Sequence, residues 1–150
     1  MTTDTKYFGT IEYEKDELIS FPKGLYGFEE EKEFLLLPFS GNGSLFSLQS
    51  IMTPLLAFVV MDPFMLDGKY APMLQPEELQ ELGAADSQDL YYYVMCVVKD
   101  PASESTVNLK CPLAINGDTR KAMQVILEGG EYQMRHRLCD FATQGEAPLC

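Results

Sequence analysis

The chain has 150 residues, of which 23 are acidic and 11 basic, so its formal net charge at pH 7 is -12. A chain of this length suits one domain with a sizeable core. Its negative charge repels phosphate, which argues against direct binding to nucleic acid or to an anionic membrane. The simplest explanation of the acidity is that it keeps a cytoplasmic protein soluble. Any partner attracted by this negative charge would be basic.

The cysteines do not indicate a metal site. No two of the four form a C-x-x-C pair, and the chain has only one histidine to join them. No metal or other cofactor is therefore predicted. Cys96 is expected in the core, and a disulfide between two of the four cysteines stays open. The first residues lack the basic and apolar regions of a secretion signal, so we expect a cytoplasmic protein with reduced cysteines.

The N-terminal half has the apolar patterns of β-strands. Apolar positions at period two on both sides of a charged run predict a hairpin over residues 6–21 with its tip at 14–17. A meander of three strands is predicted next, at residues 34–39, 45–49 and 55–61, with a loop at residues 40–44. Glutamates between the hairpin and the meander are expected to form a solvated rim; they are Glu29, Glu30, Glu31 and Glu33.

The run at residues 55–61 is apolar throughout and ends at Asp62-Pro63, where proline removes an amide donor. A strand that is apolar on both faces must be covered on both faces. We therefore expect it to be fully buried at the centre of a closed or nearly closed β structure.

The C-terminal half is predicted to contain one helix and further strands. Pro76 at the first helical position, acids in the first turn and Gly83 after the end predict a helix over residues 76–82. Strands are predicted at residues 90–98 and 106–109, then a hairpin over 113–127 that turns at 116–118, and a last strand at 132–135.

These elements predict a mainly β fold, a compact antiparallel β-barrel-like single domain with one or two short helices. The domain is predicted to span residues 1–138. Residues 139–150 have no clear period and are expected to form a flexible C-terminal tail.

Catalysis is not expected from the residues present. A Cys-His hydrolase would need His136 as its base and Cys111 or Cys139 as its nucleophile. Cys139 is three residues from His136, so on a strand the two side chains face opposite ways. Neither cysteine lies at a recognisable elbow or helix N-terminus that would lower its pKa. Phosphate-binding and dinucleotide-binding motifs are missing.

Two further patterns have ordinary explanations. Three adjacent tyrosines, residues 91–93, cannot form one stacking platform for bases, because neighbouring strand residues face opposite ways, so we assign them to core and rim. Basic residues at 135–137 reverse the local sign of charge in an acidic chain. They are either a solvated strand end or a charge-assisted contact to an acidic group in the fold or on a partner, and both explanations stay open.

A series of short motifs occurs in a fixed order along most of the chain. They are residues 19–29 (Ile-Ser-Phe-Pro-Lys-Gly-Leu-Tyr-Gly-Phe-Glu), 48–50 (Leu-Gln-Ser), 54–63 (Pro-Leu-Leu-Ala-Phe-Val-Val-Met-Asp-Pro), 106–110 (Thr-Val-Asn-Leu-Lys), 112–116 (Pro-Leu-Ala-Ile-Asn), 124–127 (Gln-Val-Ile-Leu), and Tyr132 with Arg135-His136. Each motif alone is weak, but their order and spacing are specific. Together they resemble the flagellar assembly factor FliW family of bacterial cytoplasmic proteins.

Three residues depart from the family pattern, and the resemblance stops before the C-terminal residues. Cys111, Ala122 and Arg137 stand where the family pattern has alanine, glycine and proline. Ala122 is expected to affect the return strand of the hairpin, and Arg137 to loosen the exit of the chain. Residues 139–150 lie outside the resemblance.

The resemblance implies a compact β-barrel-like domain that is not an enzyme. It implies a partner switch that binds flagellin and antagonises CsrA, a small RNA-binding dimer that represses flagellin translation. The alternative is a flagellin-specific chaperone without a regulatory role. Oligomeric state is left open.

Candidate partner contacts follow from the resemblance. They are polar residues inside the matching motifs, with one acid where the apolar run surfaces: Asn108, Lys110, Arg135, His136 and Asp62. For Asn108 the alternative explanation is that its side chain satisfies backbone groups at a strand edge.

Overall fold

The computed structural model describes residues 1–39 and 44–144, and within them the fold is mainly β, as predicted. The strands are β1 (Thr2–Thr5), β2 (Gly9–Glu12), β3 (Ile19–Ser20), β4 (Glu33–Pro38), β5 (Leu45–Ser50), β6 (Ala57–Met61), β7 (Tyr91–Val97), β8 (Thr106–Val107), β9 (Leu113–Ile115), β10 (Ala122–Gln124) and β11 (His136–Arg137). The α-helix is α1 (Pro76–Leu82). Short 3-10 segments lie at Lys15–Glu17, Pro63–Met65, Ser87–Asp89, Ala102–Glu104 and Leu138–Gln144.

The main sheet is antiparallel and curls so that its two ends meet. Its strand order is β10-β9-β7-β6-β5-β4-β3, while β8 pairs with β7 and β11, and β1 pairs only with β2. One isolated parallel bridge joins Ser20, at one end of this order, to Lys121, beside the other. The Ser20 amide there donates to the Arg120 carbonyl oxygen at 2.8 Å. Strand ladders therefore do not close the sheet, and a single bridge forms its seam.

The predicted meander is confirmed, with β6 in the middle of the sheet. β5 lies between β4 and β6, and β6 pairs onward with β7 through Val60 opposite Met95. The prediction that residues 55–61 are fully buried is wrong at the start of the run. Leu55 lies in the turn before β6 and is 79% exposed, because the turn at Pro54 carries it out of the sheet. Burial is complete only at Val60 and Met61.

Alternation along the strands divides the apolar side chains between two cores. The first core lies under the segment 63–90 and the last 3-10 segment, and includes Leu45, Met61, Tyr70, Leu82, Tyr92, Val94, Cys96 and Leu138. The second core lies on the opposite face of the sheet, and includes Ile19, Phe21, Phe34, Leu48, Val60, Leu113 and Ile115. β5, β6, β7 and β9 each contribute to both cores, which is why their sequences are apolar at successive positions. The prediction that Cys96 fills core is confirmed.

Helix α1 begins and ends as predicted. Pro76 is its first residue, Gln75 and Glu78 form a capping box, and Gly83 terminates it with φ 69°. Leu82 is buried in the first core. The adjoining hairpin holds the end of the helix, since the side-chain Nδ2 of Asn116 donates to the Leu82 carbonyl oxygen at 2.7 Å.

The predicted N-terminal hairpin over residues 6–21 is wrong. The chain turns earlier, between β1 and β2, where the Thr5 hydroxyl accepts from the Phe8 amide and donates to the Gly9 carbonyl oxygen. Gly9 has φ 67°, which completes this turn. The charged run at 14–17 holds a 3-10 segment instead of a hairpin tip, and β3 pairs with β4.

The predicted last strand is displaced along the chain. Residues 132–135 are not a strand; β11 follows them and pairs with β8, His136 lying opposite Val107. The displacement has a local cause, because the carbonyl oxygen of Gln133 accepts from the amides of Leu109 and Lys110 and turns the chain before the ladder begins. The short β8 offers only two residues for pairing.

The prediction of a solvated glutamate rim is wrong for Glu31. Its side chain accepts from the Ser50 hydroxyl at 2.5 Å and from the Thr53 hydroxyl at 3.1 Å, and the residue is 9% exposed. The other three glutamates are exposed. Glu31 thus fastens the turn after β5 to the segment before β4, as a buried carboxylate must have hydrogen-bond donors.

Part of the predicted loop at residues 40–44 and part of the predicted C-terminal tail lie outside the described residues. The parts outside are residues 40–43 and residues 145–150. Of the tail, Phe141 packs against the first core.

Candidate partner-binding surfaces

A half-exposed apolar surface lies at the border of the second core. It is formed by side chains of β4, β5 and β7 that share one face, and we call it the tyrosine face. Its members are Leu36, Phe46, Tyr91, Tyr93, Met95 and Val97. Tyr91 is 64% exposed and Val97 is 56% exposed, while the others are partly buried. Exposed apolar side chains beside half-buried ones are typical of a site for a protein partner.

The tyrosines of this face are held in place by their neighbours. The ring of Tyr93 meets that of Phe46 edge to face, with centroids 5.4 Å apart. Tyr91 lies so close to the β9–β10 hairpin that a Cβ on Gly117 would be 2.6 Å from its Cε2 atom. Only glycine at position 117 lets the ring lie there undisturbed. Burial, followed by the nearby Asp62 carboxylate, raises the pKa of Tyr93.

Carboxylates surround these tyrosines. Asp89 and Asp118 line an open cavity of about 560 Å³ together with Tyr91 and Tyr93. Asp62 lines a shallower depression on the other side of the same tyrosines. In residues 1–39 and 44–144 the only ion pair joins Lys23 to Glu81, so none of these three carboxylates is neutralised by a contacting cation.

One cation, Arg120, belongs to the same cavity. Its guanidinium donates to the backbone carbonyl oxygens of Glu17 and Leu18. Its backbone has φ 62° at the seam of the sheet, a conformation uncommon outside glycine. Arg120 thus fastens the β9–β10 hairpin to the segment before β3, and the region around the tyrosines keeps a negative balance.

Four of the five predicted contact residues lie together at the edge formed by β8 and β11. Asn108 and Lys110 follow β8, and Arg135 and His136 lie at the start of β11. Arg135 is exposed, and the Lys110 ammonium is 3.4 Å from the Gly129 carbonyl oxygen. We call these four residues the basic edge.

Two side chains of the basic edge serve the backbone around them. The Asn108 Oδ1 accepts from the amides of Lys110 at 3.1 Å and Cys111 at 3.0 Å, which is the backbone role considered for it from the sequence. The His136 Nε2 accepts from the Gln133 amide at 2.8 Å. Lys110 and Arg135 therefore carry the charged donors of the basic edge that a partner could use.

Asp62 does not join the basic edge. β6 leads to it on one side of β7, whereas β8 lies on the other side. Its Oδ1 accepts from the Phe64 amide at 2.9 Å and caps the following 3-10 segment. The structure therefore brings Asp62 to the tyrosine face, which sequence reasoning missed as a surface. The available signal was the alternation at 91, 93, 95 and 97, which assigns large apolar side chains to one face of a single strand.

Comparison with known proteins agrees with this architecture. A family model described as FliW protein matches residues 2–138. The flagellar assembly factor FliW of Geobacillus kaustophilus is 39% identical over 138 residues, which cover 92% of this chain and 95% of the relative. That of Shouchella clausii is 36% identical over 135 residues, which cover 90% and 92%. The chain belongs to the FliW family. A crystal structure of the flagellar assembly factor FliW superposes with a TM-score of 0.85 at 37% identity, and covers 91% of this chain and 96% of that one.

The three departures from the FliW pattern fit the fold. Cys111 is buried, Ala122 is buried and opens β10 opposite Ile115, and the Arg137 guanidinium donates to the Ser103 carbonyl oxygen at 3.2 Å. The return strand of the hairpin therefore forms with alanine at position 122. At position 137, proline would restrict the backbone, whereas Arg137 forms a hydrogen bond to the segment before β8.

The two free thiols of the described residues in this FliW family member, Cys96 and Cys111, are not activated. Burial raises the pKa of Cys96 to about 12 and also raises that of Cys111. Cys139 is disulfide-bonded, so the expectation of reduced cysteines is wrong for this residue, and the alternative of a disulfide holds. Across residues 1–39 and 44–144 no hydrogen bond joins His136 to Cys111, since its Nε2 takes the Gln133 amide. A nucleophilic cysteine needs a lowered pKa and an adjacent base, and these groups have neither.

The described residues contain neither a membrane-spanning helix nor a cluster of metal-ligating side chains. In that part of the chain no helix combines the length and the apolarity needed to cross a bilayer. Nor does that part gather three or more histidine, cysteine or acidic side chains in a position to hold a metal ion.

Proposed function

We propose that this FliW family member is a cytoplasmic partner switch that binds flagellin and antagonises the RNA-binding translational repressor CsrA. When flagellin is exported, the freed chain takes the repressor, and flagellin translation resumes. The family match over residues 2–138 carries this proposal. A role in binding, without catalysis, is supported by the raised pKa of the buried thiols and by the exposed apolar surface.

The presence of two separate surfaces supports a switch. The tyrosine face is apolar with an acidic surround, and the basic edge lies at β8 and β11, beyond one edge of β7. A switch between two partners requires either that they exclude one another or that binding at one surface changes affinity at the other. β7 contributes to the tyrosine face and pairs with β8, so it provides a physical connection between the surfaces.

The basic edge is proposed as the contact for an acidic group on one of the two partners. Arg135 is exposed, and in the described part of the chain no carboxylate pairs with it. A guanidinium that is free in the unbound chain can form a charge-assisted, bidentate contact with a partner carboxylate. Lys110 and His136 are proposed to contribute beside it, with Asn108 shaping the turn that presents them.

Size-exclusion chromatography and calorimetry with purified flagellin and purified CsrA from the same organism test the proposal. The chain should co-elute with each partner alone, and addition of flagellin should lower the amount of CsrA bound. Arg135→Ala should weaken one of the two complexes by about tenfold, equivalent to about 1.4 kcal/mol, with the fold unchanged.

The matched control is Lys15→Ala, which removes another exposed cation from the 3-10 segment after β2. It should leave both affinities unchanged. Failure of the chain to bind either partner would refute the switch, and binding of flagellin with no contact to CsrA would identify a flagellin chaperone instead.

A further inference from the structure

At the middle of the tyrosine face, β5 has no free backbone edge to offer a partner. β5 lies between β4 and β6, and β7 is paired with β8 and β9 along one side. On its other side β6 pairs only with Val94 and Met95, and Asp62 and Phe64 lie beside residues 90–93. A partner strand can add only to an unpaired edge. A partner that lies across β5 and the side chains of β7 therefore contacts side chains rather than a free strand edge. An amphipathic helix is the segment that presents a stripe of apolar side chains without needing backbone hydrogen bonds.

The charge around the face determines what that helix must carry. Three carboxylates, those of Asp62, Asp89 and Asp118, lie around Tyr91 and Tyr93. The one cation of the cavity, Arg120, already donates to two backbone carbonyl oxygens. Lysine or arginine at the border of an apolar stripe would meet these carboxylates, and could also lie over a tyrosine ring as a cation–π contact.

The same charges disfavour other occupants. Nucleic acid would bring phosphates toward three carboxylates, which repel them. A second copy of this chain, docked face to face, would bring two acidic surrounds together and leave six carboxylates with two guanidinium groups. A basic amphipathic helix is the occupant that satisfies both the apolar centre and the acidic surround.

We propose that the tyrosine face is the docking surface for an amphipathic helix of a protein partner, with lysine or arginine flanking its apolar stripe. Tyr91 and Tyr93 receive the apolar stripe, and Asp89 and Asp118 receive the basic side chains. The inference rests on the proposed function in one respect only, that the chain acts by binding proteins.

A matched pair of synthetic helical peptides tests this surface without either proposed partner. Each peptide has about 18 residues, or about five turns, with the same leucine stripe and one tryptophan, and the flanks are lysine in one and glutamate in the other. The chain contains no tryptophan, so tryptophan fluorescence reports the peptide alone. The lysine peptide should bind at least about tenfold more tightly than the glutamate peptide, and its affinity should fall by about tenfold with Tyr91→Ala.

Neutralisation of two carboxylates distinguishes binding at this site from a general attraction of the lysine peptide to an acidic chain. Asp89→Asn with Asp118→Asn should weaken the lysine peptide by about tenfold. The control, Glu30→Gln with Glu77→Gln, removes the same charge from two exposed residues away from the face and should leave affinity nearly unchanged. The inference is overturned by equal losses in the two double variants, or by no binding of the lysine peptide to the wild-type chain. Neither result would bear on binding of flagellin or CsrA, which the chromatography measures.

Discussion

The two faces of β7 have similar side chains and opposite roles. Tyr92, Val94 and Cys96 face the first core, while Tyr91, Tyr93, Met95 and Val97 lie on the side of the second core, where Tyr93 and Met95 pack against its edge. Tyr92 is 5% exposed and its neighbour Tyr91 is 64% exposed. The same residue type therefore stabilises the fold on one face and supplies a contact surface on the other. What differs is the cover: the segment 63–90 packs over the first core, and no described residue packs over Tyr91 in the same way.

Truncation of tyrosine should separate the two faces most clearly. Tyr92→Ala removes a buried ring and its hydrogen bond to the Ser87 carbonyl oxygen, so the free energy of unfolding should fall by about 3–5 kcal/mol. Tyr91→Ala should change it by no more than about 0.5 kcal/mol, since the ring is mostly in water already. Urea denaturation of both variants measures this, and equal losses would erase the distinction between the faces.

A smaller change tests the hydroxyl of Tyr92 and its pH dependence. Its hydroxyl donates to the Ser87 carbonyl oxygen at 2.6 Å, and Tyr92→Phe should cost about 1 kcal/mol at neutral pH by leaving that oxygen without its donor. Burial raises the pKa of Tyr92 to about 12, above the value of about 10 in the unfolded chain. Its neutral form is therefore favoured by folding, so its contribution is complete below pH 10 and is lost as the pH rises from about 10 to about 12.

The variant should consequently lose less stability than the wild-type chain between pH 10 and pH 12. Cys96, whose pKa burial also raises to about 12, contributes equally to both chains and cancels in the difference. Denaturation midpoints across this range give the two slopes, and parallel slopes would show that Tyr92 does not titrate in the folded state as its burial requires.

The smallest effect is expected from Gly117→Ala. The added Cβ would lie 2.6 Å from the Tyr91 ring, which can move because its far end is in solvent. Stability should change by no more than about 0.5 kcal/mol, while the ring of Tyr91 leaves its place on the hairpin. NMR shifts of the Tyr91 ring and of the Asp118 amide would report the move. Unchanged shifts would mean that the hairpin does not position the tyrosine.

The sequence predicted those elements whose signals are local and strong. β4, β5, β6 and β7 follow from long apolar runs, and α1 follows from proline, acids and glycine at its ends. The hairpin at β9 and β10 follows from the turn residues that begin at Asn116. In each case the pattern that indicates the element also determines its packing, so little tertiary information was required.

The N-terminal hairpin was mispredicted because its turn is weakly encoded. Period-two apolar positions run from Tyr7 to Tyr13, across a turn that Thr5 and Gly9 form through hydrogen bonds and a positive φ. Glu31 was assigned to the surface for a related reason. Its donors, Ser50 and Thr53, are about twenty positions away, and their approach depends on the meander being folded.

The candidate surfaces were only partly predictable. Arg135 and Lys110 came from a reversal of charge and from family motifs, and the structure places them at one edge. The tyrosine face forms because Leu36, Phe46 and Tyr93 meet across separate strands and because no other segment of the described chain covers them fully. Periodicity along one strand can show neither of these conditions.

Because β5 is paired along both edges, a helix bound across the tyrosine face would contact side chains and form no backbone ladder. In an edge-strand interface, a shift of one residue changes every contact together. Here Tyr91, Tyr93, Asp89 and Asp118 can each be replaced without moving the others. Specificity at this surface can therefore diverge one residue at a time among relatives, while the strands beneath keep their register.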